Sequence, residues 1–248
     1  MSAIRVILVN PSHPGNIGAT ARAMKLMGLL DLVLVSPQSF PDPVATARAA
    51  GAADLLVRAR VTRTLVQALE GCVTVYPATA RGRSLPIPTV SARECGEAIA
   101  RRSNDRVALV FGRESSGLTN EELNLAHRAI CIPTSAEFTS LNLAQAVQIV
   151  CYECFVARSD LGNAAAKSIL ETGDQRASVE QMAGLYDHLE KTLTAIEFLK
   201  PKQSVTLMQR LMRLYNRAEL SVNELNILRG ILSDTDRQVR LRREALDE

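Results

Sequence analysis

Nowhere does this chain carry an apolar run near the eighteen or so residues that a membrane-spanning helix needs. Its N-terminus has no charged-then-apolar leader pattern. Cysteine is sparse, five in 248 residues, which suits a reducing compartment better than a disulfide framework. Together these absences predict a soluble, cytoplasmic protein. Tryptophan is missing and aromatic residues make up only 4%, yet hydrophobic residues reach 47%, enough for a real core. The net charge of +3 is mildly basic. It is compatible with a polyanionic partner without establishing one.

Familiar catalytic signatures are lacking too. Gly112-x4-Gly117 has the glycine spacing of a phosphate-cradling loop, and Thr119 would supply its hydroxyl, but Leu118 stands where such a loop needs the Lys that neutralises the phosphates. No Gly-x-Gly-x-x-Gly follows the first strand, and no Gly-x-Ser-x-Gly nucleophile pattern occurs. His13, His127 and His188 have no metal-ligand spacing, so no metal site is predicted. His13 reads as a solvent-exposed turn residue. Cys151-x2-Cys154 lies inside a helical pattern with no second ligand pair, which reads as buried thiols rather than redox or zinc chemistry.

What is present is an alternation. Short aliphatic runs at Arg5–Val9, Asp31–Val35, Cys72–Tyr76, Arg106–Phe111 and Ala129–Ile132 read as strands buried on both faces. Helical patterns at Ile17–Met27, Thr62–Leu69, Ser91–Arg102 and Leu141–Arg158 lie between and after them. Thr119 with Glu122, and Ser91 with Glu94, have the spacing of capping boxes. The prediction is an α/β domain over residues 1–159, with a mostly parallel sheet and helices on both faces. Residues 160–177 have no clean period and read as a linker. Residues 178–248 carry three helical patterns, Ser178–Leu199, Ser204–Arg217 and Ser221–Arg243, as an all-helical extension.

Three loops between strand and helix concentrate the unusual residues. They are Asn10-Pro11-Ser12-His13-Pro14-Gly15-Asn16-Ile17-Gly18 leading to Arg22, Phe111-Gly112-Arg113-Glu114-Ser115-Ser116-Gly117-Leu118, and Ile132-Pro133 through Thr139-Ser140-Leu141-Asn142. Loops in that place lie beyond the carboxyl ends of strands, where α/β proteins keep their sites. Gly15 and Gly18 also admit a plainer role in tight turns.

As a set, the three motifs resemble those of the SPOUT class of RNA methyltransferases, most closely its bacterial tRNA (cytidine/uridine-2′-O-)-methyltransferase family. The tail adds to the likeness through Glu224-Leu225-Asn226-Ile227-Leu228-Arg229-Gly230-Ile231-Leu232. The resemblance implies an α/β fold whose C-terminal part is threaded into a trefoil knot, a feature that no periodicity argument yields. It implies S-adenosylmethionine as cofactor, held by Ala78, Thr79, Ala80, Gly112, Ile132, Thr139, Ser140 and Leu141 with Asn142 close by. Arg22 carries over as the catalytic residue. Asn10 and Asn16 carry over to ordering the loop and contacting ribose, and Arg113 and Glu114 to positioning RNA or the partner subunit, with a surface salt bridge as the plainer alternative for Arg113.

The implied partners are tRNA and a second copy of the chain, with no membrane and no DNA. The target is cytidine or uridine 32 of the anticodon loop. The motifs alone also admit a ribosomal-RNA 2′-O-methyltransferase, or a non-catalytic RNA-binding assembly protein on the same scaffold. From Lys200 to Arg217 the tail is basic, with Lys200, Lys202, Arg210, Arg213 and Arg217 and no acidic residue. Helical spacing puts Arg210, Arg213 and Arg217 on one face, opposite a stripe of Leu207, Leu211 and Leu214. That face suits phosphates, or is merely solvated.

Overall fold

The computed structural model describes residues 3–79, 87–102, 105–135, 137, 139–164, 175–200 and 204–247. Ala80 and Lys202, both singled out above, lie outside the described residues, as does most of the 160–177 stretch. The chain divides into two compact units, Met1–Leu170 and Glu171–Glu248.

The first unit is built on a five-stranded sheet. Its strands are β1 (Ala3–Val9), β2 (Asp31–Val35), β3 (Arg60–Thr62), β4 (Thr74–Pro77) and β6 (Arg106–Phe111), in the order β3-β2-β1-β6-β4. Every neighbouring pair is parallel. In β1 six consecutive residues, Ile4–Val9, are buried, as are five in β6, Val107–Phe111. Uninterrupted burial means that both faces of the sheet are covered, which is why these strands read as plain aliphatic runs.

This topology corrects the strand predictions. β3 has no counterpart among them, because Arg60-Val61-Thr62 is an exposed, polar edge strand without an apolar run. The stretch Ala129–Cys131, β7, is not in the main sheet. It pairs in parallel with β5 (Thr89–Ser91) in a two-stranded sheet and reaches the end of β4 through an Ala78–Ile130 bridge. The strand expected at Cys72 starts at Thr74 instead, since the turn at Gly71 (φ +73°) occupies the preceding residues.

Around the sheet lie α1 (Pro14–Leu26), α2 (Pro43–Ala49), α3 (Ala53–Arg58), α4 (Leu65–Ala68), α5 (Ala92–Ala100), α6 (Asn120–Asn124) and α7 (Leu143–Ala164). α2 and α3 have no counterpart among the predicted helices. They are short, seven and six residues, below the length at which a 3.6-residue period is legible. α4 is shorter than predicted because Thr62 belongs to β3, and Thr64 with Gln67 forms the capping box that starts it. The boxes at Ser91–Glu94 and Thr119–Glu122 are both formed.

Helix packing in this unit depends on glycines. A Cβ on Gly18 would stand 2.0 Å from the Ala45 carbonyl oxygen, and one on Gly96 would stand 2.6 Å from that of Glu153. Gly18 therefore lets α1 and α2 approach closely and serves no turn. The thiols of Cys95, Cys151 and Cys154 are buried. Burial pushes all three upward in pKa, Cys154 to about 12, which leaves them inert hydrophobes.

The second unit contains α8 (Val179–Ala195), α9 (Ser204–Ala218) and α10 (Val222–Asp247). Ser178–Gln181 and Ser221–Glu224 close capping boxes. Residues 175–177 belong to this unit through backbone hydrogen bonds, Ala177 N–H to the Leu220 carbonyl and Val222 N–H to that of Gln175. α7 runs on to Ala164, past the predicted start of the linker. The expected stripe of α9 is corrected at one position: Leu207 and Leu211 pack on the core together with Met208, Met212 and Tyr215, while Leu214 is 48% exposed. The apolar face is wider than the leucine spacing alone, because Met208, Met212 and Tyr215 add to the packing. Among the described residues no helix is long and apolar enough to cross a membrane.

Candidate active site

The three motif loops converge at the carboxyl ends of β1, β6 and β7. The second loop folds on itself: Arg113 N–H donates to the Gly117 carbonyl at 3.2 Å, and Gly117 N–H returns to the Arg113 carbonyl at 2.9 Å. Gly117 takes φ +69°, a region that favours glycine. Gly112 is required for a different reason. A Cβ there would lie 2.3 Å from the Gly117 carbonyl carbon and 2.5 Å from the Leu118 nitrogen. The loop cannot close on any residue with a side chain at that position.

This closed loop forms one wall of a cavity of about 200 Å³. Thr79 and Ala78 at the end of β4 form a second wall, and Ile132, Thr134, Thr139, Ser140 and Leu141 form the third. Seven of the nine residues assigned to the cofactor by resemblance thus line one cavity. Asn142 stands beside it in sequence, and Ala80 lies outside the described residues. Leu118, Leu143 and Ala146 also line it, and the sequence reading assigns them no such place. Leu143 and Ala146, three apart on α7, carry a legible helical spacing, but nothing in the sequence tells which side of that helix faces a cavity. The lining is small, apolar or hydroxylated, apart from Arg113 and Glu114.

Those two charges are already engaged. Arg113 makes a two-pronged ion pair with Glu122, both contacts at 3.0 Å, and donates from Nη2 to Asn10 Oδ1 at 2.6 Å. Its pKa is raised by the Glu122 carboxylate. Glu122, opposed by its own partial burial, is held below the usual carboxylate range by Arg113 and the Thr119 cap. Glu114 reaches the first loop, accepting from Ser12 N–H at 3.0 Å, the Ser12 hydroxyl at 2.9 Å and Asn16 Nδ2 at 2.9 Å. Partial burial raises its pKa, but these donors outweigh it and the net direction is down.

Asn16 joins all three loops, since its Oδ1 accepts from Asn142 Nδ2 at 3.0 Å. Asn142 Oδ1 in turn accepts from Ala144 N–H at the start of α7. Asn10 takes φ +45° and donates from Nδ2 to the Ser36 carbonyl at 3.0 Å. His13 is exposed and caps α1, its Nδ1 accepting from Gly15 N–H at 3.0 Å. Arg22 is exposed on α1, and its guanidinium makes no hydrogen bond or ion pair among the described residues. In the tail, Arg210 and Arg217 are exposed, while Arg213 is half-buried and donates from Nε to the Gln209 carbonyl at 3.1 Å.

Known proteins share this plan. Residues 3–152 match the model of the SpoU rRNA Methylase family, and residues 180–244 match that of the tRNA methyltransferase TrmJ C-terminal domain. The chain is 47% identical to the tRNA (cytidine/uridine/adenosine-2′-O-)-methyltransferase TrmJ of Pseudomonas aeruginosa (strain UCBPP-PA14), over 97% of this chain and 96% of that one. It is 46% identical to the tRNA (cytidine/uridine-2′-O-)-methyltransferase TrmJ of Yersinia enterocolitica, over 95% and 92% of the two chains. The crystal structure of TrmJ from Z. mobilis ZM4 superposes with a TM-score of 0.82 at 32% identity, covering 95% of this chain and all of that one. The chain belongs to the SpoU methylase family and, within it, to the TrmJ proteins.

Proposed function

We propose that this SpoU-family chain is an S-adenosylmethionine-dependent tRNA 2′-O-methyltransferase acting on cytidine or uridine 32 of the anticodon loop. Likeness to proteins named tRNA 2′-O-methyltransferase, at 44–47% identity over nearly the whole chain, supports the reaction and the substrate class. The observation that carries the cofactor is the cavity itself, on which three segments distant in sequence converge: Ala78–Thr79 after β4, the Gly112 loop and the Ile132–Leu141 loop.

The residues fit the group. An adenine and a ribose call for small side chains, hydroxyls and backbone donors, which Ala78, Thr79, Thr139, Ser140 and the Gly112 loop supply. Arg113 and Glu114 point their charge into loop contacts and leave the remaining lining neutral. When bound, S-adenosylmethionine supplies an electrophilic methyl group. The chain's task is then to position the ribose and favour loss of its 2′ proton.

Arg22 is the group for that task. Its exposed guanidinium has no partner among the described residues, so its donors are available to a phosphate and to the developing 2′-alkoxide. A guanidinium has only donors to offer and does not serve as the base; a substrate phosphate or water takes the proton. Asn10 and Asn16 order the loop that leads to α1. The chain acts as a homodimer, for which Tyr152 and Phe155, 51% and 46% exposed on α7, offer an apolar face. The trefoil threading belongs to the same reading, as does a cytoplasmic location.

Calorimetry with S-adenosylmethionine, followed by mapping of the 2′-O-methylated nucleotide in tRNA, tests the proposal. Magnesium-dependent ATP binding without S-adenosylmethionine binding overturns it.

A further inference from the structure

Beyond β6 and its cavity, the carboxyl edge of the sheet continues as an unbroken ledge over β1, β2 and β3. Arg113, on the cavity wall, donates to Asn10 at the end of β1. Asn10 donates from its backbone to the Val35 carbonyl at 2.8 Å and from its side chain to that of Ser36. Ser36, at the end of β2, donates from its backbone to the Thr62 carbonyl at 2.9 Å and from its hydroxyl to that of Arg63 at 3.0 Å. Asn10 and Ser36 share the same left-handed turn, φ +45° and +44°, so both strands break off at one level. The ledge is polar, and Ser36 and Arg63 are exposed.

Arg63 ends this ledge on the edge strand. Arg48, on α2, stands beside the first loop, its Cγ within 3.6 Å of where a Cβ on Gly15 would be. Both arginines are exposed, and neither guanidinium has a hydrogen bond or ion pair among the described residues. Six residues to either side of Arg48, Asp42 is taken up by the Ser39 hydroxyl and Val44 N–H at the start of α2, and Asp54 by the Lys25 ammonium. From β6 to β3 the ledge spans three strand spacings, about 14 Å at ~4.8 Å each. That length suits a short run of nucleotides leaving the cavity.

We infer that this ledge is a track for the RNA strand flanking the target nucleotide, with Arg48 and Arg63 as phosphate contacts. The inference rests on the reading of the chain as an RNA 2′-O-methyltransferase. It adds a docking surface that belongs to the first unit and is distinct from the basic helix of the second. Surface arginines without acidic partners supply phosphate affinity through counterion release and carry no base readout.

The test is tRNA binding by full-length protein across a salt series, comparing wild type with Arg48→Glu, Arg63→Glu and the double variant. Calorimetry with S-adenosylmethionine and a thermal melt accompany each protein. Removal of one arginine–phosphate pair should lower the slope of log affinity against log salt by roughly 0.7, the single-strand value, and removal of both by about 1.4. Cofactor binding and melting should stay at wild-type values. Unchanged tRNA affinity and slope in the double variant overturn the ledge and leave the methyltransferase reading standing. A wild type that binds tRNA in this salt-dependent way but no S-adenosylmethionine overturns that reading and leaves the ledge supported.

Discussion

Asn16 Nδ2 lies 2.9 Å from Glu114 Oε1, joining the first loop to the second across nearly a hundred residues. With the Ser12 and His13 donors it makes Glu114 a four-donor acceptor that only a carboxylate satisfies. Glu114→Gln substitutes an NH₂ for one oxygen and turns acceptance into donor–donor conflict. Because the group is exposed, the cost is discounted to about 1–2 kcal/mol, on the order of tenfold in kcat/KM for tRNA. A folded variant with wild-type kinetics refutes the assignment.

The same carboxylate yields a pH prediction. Its folded pKa is depressed, so its contribution is fully present above the unfolded value of about 4.3 and is lost as pH falls through the folded value. Wild type should therefore hold a constant stability advantage over Glu114→Gln from neutral pH down to about 5. The gap should close only in stronger acid. Chemical denaturation across that range measures it, and a gap that shrinks between about pH 8 and 6 would point to another group.

Gly112 and Gly18 separate two kinds of glycine dependence. Gly112→Ala places a methyl into the backbone of its own loop, so the cavity wall must move and S-adenosylmethionine binding should be lost. Gly18→Ala drives a methyl into the α1–α2 contact, and overpacking of that kind costs about 1–3 kcal/mol. The first should show in calorimetry with little change in melting temperature, the second in melting temperature. A normal cofactor affinity in folded Gly112→Ala would remove that loop from the site.

How far the sequence discloses this protein depends on the element. Strands buried on both faces, β1, β2 and β6, announce themselves as aliphatic runs, and the capping box of Thr119 and Glu122 marks the helix that follows β6. Edge strand β3 and helices α2 and α3 leave no such trace, because a polar three-residue strand and helices of seven and six residues owe their conformation to neighbours. At the site, the motif residues are legible as a set, and most of the assigned cofactor residues do share one cavity. That Leu118, Leu143 and Ala146 line the cavity is not legible, since apolar residues carry no chemical mark of the wall they form. The contact network of Glu114 is equally hidden: spacing places a carboxylate in a loop but not its partners in another.

Arg22 should tolerate replacement structurally and not catalytically. Its side chain is exposed with no partner among the described residues, so Arg22→Ala should keep the fold and most cofactor affinity. Loss of a donor to developing charge lowers turnover by roughly 10²–10³. Arg22→Lys should also be poor, because an ammonium does not reproduce a planar fork. Near-normal turnover in either folded variant would take Arg22 out of the chemistry.

The proposed reaction is at a sugar oxygen, and that can be separated from recognition of the RNA. Phosphate contacts along basic surfaces do not depend on one 2′-hydroxyl, so a tRNA with deoxyribose at nucleotide 32 should bind with near wild-type affinity and salt dependence. It should accept no methyl group, since the nucleophile is gone while Arg22 and the loops are untouched. The radiolabel transfer assay has two informative failures. Methylation persisting on the deoxy substrate would put the acceptor on a base, or on a neighbouring ribose if nuclease mapping locates it there. Loss of binding along with transfer would mean that the 2′-hydroxyl itself is a recognition contact, and that groups on the first loop, Asn16 among them, hold it before the proton leaves.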